Sequence, residues 1–130
     1  MKVNAAATLG AIALAVLMIS LPAPAHHGTA AYDEEHPVTL SGTVTEFNWA
    51  NPHVQIYFDV KDSKGNVAHW SVETLSPGKL ARSGWSKDSL KAGDQITITV
   101  WAAKSGAPVG FMRKLVLAGG KELSIDEKAN

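Results

Sequence analysis

The chain has 130 residues, 12 basic and 12 acidic side chains, five histidines and no cysteine. The balanced charge carries neither the basic excess nor the clustered stripe of a nucleic-acid binder, and that class is disfavoured. The missing cysteine excludes disulfide stapling and a lipid-modified export signal, so stability must come from a core or a ligand.

Residues 1–25 have the pattern of an export signal. Lys2 supplies a thin positive start, Ala5 to Leu21 is an uncharged run, and Ala23-Pro24-Ala25 offers the small residues of a cleavage site. A spanning helix usually needs ~20 apolar residues, so an uncleaved anchor is the alternative to a cleaved signal. The expectation is a periplasmic protein, residues 26–130, with no stable membrane insertion once the signal is cleaved. Cleavage removes Lys2 and leaves the domain close to neutral.

Residues 26–37 contain Gly28, three acidic residues and no apolar periodicity, and read as an extended arm. In "VTLSGTVTEFNW" (38–49), Val38, Leu40 and Val44 share one face, whereas Phe47 and Trp49 fall on the other parity. That switch predicts a bulge near Thr45 or Glu46. "HVQIYFDV" (53–60) alternates, with Val54, Ile56, Phe58 and Val60 inward and His53, Gln55, Tyr57 and Asp59 outward. "DSKGN" (62–66) is a hairpin loop. "VAHWSVET" (67–74) then places Trp70 and Val72 inside, with His69, Ser71 and Glu73 outside.

Ser76-Pro77 reads as an N-cap with proline in the first helical position, opening a short helix to about Arg82 that stops at Gly84. "KAGDQ" (91–95) is a turn, "QITITVWA" (95–102) a strand with Ile96, Ile98 and Val100 inward, and "FMRKLVLA" (111–118) the last strand. The tail, residues 124–130, is expected to fray. Three strands, a helix and two strands is the order of a small five-stranded OB-like barrel, here residues 38–123, and the fold class is all-β. An immunoglobulin-like sandwich would need about seven strands.

Register around the 62–66 loop allows paired positions summing to 126 or 128. Either places the imidazole of His53 and the carboxylate of Glu73 on one outer face within side-chain reach. His69 falls opposite Tyr57 or Asp59, roughly 17–20 Å along the ladder from His53, too far to share a metal with it. It reads as a surface residue, and His36, between Glu35 and Pro37, as solvated.

Cleavage after Ala25 would expose the amine of His26 beside the imidazoles of His26 and His27. An amine and imidazole in this arrangement form a chelate suited to Cu(II), with nickel or zinc as alternatives. His53, just after the Asn51-Pro52 turn, is the candidate third imidazole. Glu73 is either a further ligand or the partner that holds the ring. The rival reading is a metal-free interaction module that binds a peptide, glycan or partner protein on the barrel face, using Tyr57 and an exposed tryptophan, Trp49 or Trp101. Trp70 reads as core and Trp85 as a cap on the barrel bottom. No nucleophile elbow or phosphate-cradling glycine loop is present, so no catalytic residue is assigned and the chain reads as non-enzymatic.

His26-His27 after the signal, Asn51-Pro52-His53 before a β pattern, Trp70 with Glu73, and "SPGKLARSGW" followed by "SLKAGDQITI" together resemble a family of small exported bacterial proteins of unknown function. Members of that family continue the double histidine with serine, where this chain has Gly28. The resemblance implies export and a single β domain, and draws attention to His26, His27 and His53 without naming a ligand.

Overall fold

A computed structural model describes residues 28–125. After a 3-10 turn at Thr29–Ala31 come β1 (Val38–Asn48), β2 (Gln55–Lys61), β3 (Val67–Glu73), α1 (Pro77–Arg82), β4 (Gln95–Ala102), β5 (Val109–Leu117) and β6 (Glu122–Ser124). β1 pairs antiparallel with both β2 and β4, β2 with β3, and β4 with β5. Parallel pairing of Ser71–Glu73 with Val109–Phe111 closes the circuit. This is the expected five-stranded OB-like barrel, with its helix between the third and fourth strands.

β1 closes the barrel by changing partners midway. Val38–Thr43 pairs with β4 and Thr43–Asn48 with β2. The ladder to β2 slips between Val44 and Glu46, so Thr45 is the bulge that the parity switch predicts. Beyond it, Phe47 packs against the core opposite Ile56. Bulges bend and twist a strand, which is what a closing strand needs. At Gly42 the crossing is so close that a Cβ would lie 2.5 Å from the Asp59 carbonyl oxygen and 2.9 Å from the Phe58 ring.

The alternating apolar positions meet inside. Val44, Ile56, Phe58, Val72, Ile98, Val100, Met112 and Leu115 are all buried, and each stabilises the fold by about 1.5–3 kcal/mol relative to an exposed side chain. Leu80 of α1 and Trp85 after it join this core. Ser76 caps the helix by accepting from the Lys79 amide, and Gly84, at φ 89, ends it.

Several expectations need correction at the margins. Val38 is exposed and Leu40 only half-buried, although their partners on β4, Val100 and Ile98, are fully buried. Trp70 is half-buried and stacks on Phe58 rather than lying wholly within the core. β5 starts at Val109, earlier than its apolar run suggests. The frayed tail does not begin at Ser124, which pairs with Lys114, and Ile125 is buried. The short β6 was hidden because three residues carry too little periodicity to read.

Candidate functional site

The loop from Trp49 to Val54 joins β1 to β2 and carries a cis Asn51–Pro52 bond. It delivers His53 to the outer surface. Val54, by contrast, turns inward, with its amide bonded to the Leu75 carbonyl and its own carbonyl accepting from Thr74. The β2–β3 ladder pairs Gln55 with Glu73. This is the sum-of-128 register, with His53 diagonal to Glu73.

His53 Nδ1 lies in direct contact with Glu73 Oε1; the side chains are 46% and 20% exposed, respectively. Together with Asn48, Asn51 and Gln55 they line a cavity of about 370 Å³ beside the loop. Glu73 also stands opposite Phe111 across the parallel β3–β5 seam. The pair therefore sits where three segments of the barrel converge.

A fourth segment reaches the same carboxylate. Tyr32 of the arm bonds its hydroxyl to Glu73, and its ring lies 6.4 Å from that of Phe111. Burial, and then the negative charge and hydrogen bond of Glu73, hold the tyrosine pKa above its usual value. Backbone bonds fasten the arm beside it. Tyr32 bridges to Ala103, Asp33 donates to the Ala102 carbonyl, and Lys104 donates to Ala31 through its amide and to Ala30 through its ammonium. The described part of the arm, expected to be merely extended, is thus docked on the barrel. Tyr32 was absent from the candidate residues. Its only signal in the sequence is a lone aromatic ring within "TAAYDEEHP".

The remaining histidines lie elsewhere. His69 Nδ1 contacts Asp59 Oδ1 at 2.6 Å across the far end of the β2–β3 ladder. His36 Nδ1 contacts Asp33 at 3.0 Å and is 78% exposed, as its solvated reading requires. All three described histidines turn Nδ1 towards a carboxylate. His26 and His27 lie outside the described residues, and among the described residues no group of three or more His, Cys, Asp or Glu side chains is arranged to hold a metal ion. His53 and Glu73 alone offer one imidazole and one carboxylate, donors suited to copper, nickel or zinc but too few to define a closed site.

The proposed stacking platforms are partly occupied. Trp101 is half-buried, stacked on Phe111 at 5.9 Å, with the Arg113 guanidinium 4.1 Å from its ring centroid. Trp49 is half-buried against Phe47. Trp85 is buried and donates from Nε1 to the Ser124 carbonyl at 2.9 Å.

No curated protein matches the chain. Two solved structures of Rim1, a mitochondrial single-stranded DNA binding protein from S. cerevisiae, are similar to it. One, form 1, has 7% identity over 64% of this chain and 92% of its own, with a TM-score of 0.49. The other, selenomethionine-labelled form 2, has 9% identity over 63% and 92%, with a TM-score of 0.44. The model of a family of unknown function, DUF6152, matches residues 13–112, a span that contains both halves of the histidine–carboxylate site, and the chain belongs to that family.

Proposed function

We propose that the protein is an exported, periplasmic binding domain that holds a divalent transition metal, copper above the others, without acting as an enzyme. His26 supplies its amine and imidazole, His27 a second imidazole and His53 the third, with Glu73 beside it. The observation that carries this reading is the convergence on Glu73, which receives His53 from the β1–β2 loop and Tyr32 from the arm. Only four residues separate Tyr32 from His27, a span of at most ~18 Å. Docking at Tyr32 therefore removes much of the entropic cost of bringing the arm back to His53.

The test is a native mass spectrum of protein exported by a bacterial host, with and without Cu(II). A chain that begins at His26 and retains one copper after desalting is the expected result. Adding one residue before His26 should then abolish tight binding. A chain that begins elsewhere, or one that gives up the metal freely, would overturn the reading and favour the metal-free module.

A further inference from the structure

The Tyr32–Glu73–His53 contact also assigns roles within the site. A carboxylate can only accept hydrogen bonds, so the imidazole nitrogen facing it must carry the proton. In His53 that nitrogen is Nδ1. In the neutral ring this leaves Nε2 unprotonated, with its lone pair available. Meanwhile the Glu73 carboxylate accepts from the Tyr32 hydroxyl. The carboxylate is thus already engaged by two donors, one from the barrel loop and one from the arm.

We propose that Glu73 is a positioning residue rather than a metal ligand: it accepts from His53 Nδ1–H and from the Tyr32 hydroxyl, and so presents His53 Nε2 as the donor of the site. Identification of that donor's partner as a divalent metal rests on the function proposed above, whereas the tautomer does not. Three strands and the arm fix the arrangement. Gln55 and Phe111 flank Glu73 on either side, and the Tyr32 ring packs on Phe111. Carboxylates that hold the far nitrogen of a ligating imidazole set both its orientation and its basicity. Their loss typically weakens metal binding by 10–100-fold.

Long-range proton–nitrogen spectra of the uniformly nitrogen-15-labelled, metal-free protein, above the imidazole titration range, read the tautomer directly. The expected result is His53 as the Nδ1–H form. Glu73→Ala should release that preference. Glu73→Gln should restore it, because the amide oxygen still accepts. On adding Zn(II), the Nε2 signal should be the one displaced in wild type and in Glu73→Gln, with the latter's affinity reduced by roughly 10–100-fold. His53 found as Nε2–H in the metal-free wild type, or Glu73→Gln losing zinc as completely as Glu73→Ala, would overturn the positioning role. The Nδ1–H form with no response to Zn(II) or Cu(II) would support the hydrogen-bonded latch and overturn the metal reading instead.

Discussion

Trp85 Nε1 donates to the Ser124 carbonyl at 2.9 Å, fastening the segment after α1 to β6, the last of the described strands. Trp85 is 3% exposed and its ring lies 6.4 Å from that of Phe47, so it joins the core as well as the end of β6. Trp85→Phe removes the donor and part of the buried ring. The lost hydrogen bond costs about 1 kcal/mol, and the lost area adds to it. Urea unfolding should show that loss, and amide exchange should rise first in Glu122–Ser124. Unchanged protection there would refute the fastening role.

Gly42 makes a different kind of demand. Its missing side chain lets β1 cross β2 against the Asp59 carbonyl and the Phe58 ring. The nearest obstacle is backbone, which cannot rotate aside. Gly42→Ala should therefore cost at least the 1–3 kcal/mol typical of overpacking. Gly78 has no such neighbour, so Gly78→Ala should be tolerated far better. Thermal melts of the two variants make the comparison, and similar losses in both would remove the close crossing as the cause.

Thr74, just after β3, carries a fully buried hydroxyl that finds no hydrogen-bond partner among the described residues. A buried polar group left unpaired costs roughly 1–3 kcal/mol. Thr74→Val keeps the β-branched shape and removes that penalty. The expected result is a gain of about 1 kcal/mol in urea unfolding. A loss would mean that the hydroxyl is satisfied in solution.

Most of this barrel was legible in the sequence because its strands obey a period of two. The alternation of residues 54–60 and 95–100, the helix cap at Ser76 and the parity break at Thr45 each translate into one physical constraint. That His53 and Glu73 share one outer face within reach followed from the hairpin loop, since a register error of one residue would turn the apolar set outward. The loop allowed both a direct and a diagonal pairing, and the ladder that sets Gln55 opposite Glu73 decides for the diagonal. The docked arm was not legible. Its anchors are backbone bonds to Ala102, Ala103 and Lys104, which no side-chain pattern announces. Tyr32 finds Glu73 across such a distance in sequence that only the closed barrel brings them together. β6 was missed for the same reason, being defined by pairing with β5 rather than by its own composition.

The Tyr32–Glu73 contact also predicts how stability responds to alkali. The Tyr32 pKa in the folded protein is raised above 10.0, first by burial and then by the charge and hydrogen bond of Glu73. The folded chain thus holds this proton more tightly than the unfolded chain does. Below pH 10 the proton is on in both states, and the contribution to stability is complete. As pH rises past 10 the unfolded chain releases its proton first, which favours unfolding, and the contribution is lost by the time pH has passed the folded value. Wild type should lose stability across this window, and Tyr32→Phe, which has no proton to release there, should lose less. Absorbance in the tyrosinate band should show Tyr32 ionising above the ordinary tyrosine range, with Tyr32→Phe deleting that phase. Parallel stability curves for the two proteins above pH 10 would show that Tyr32 does not hold Glu73 in solution.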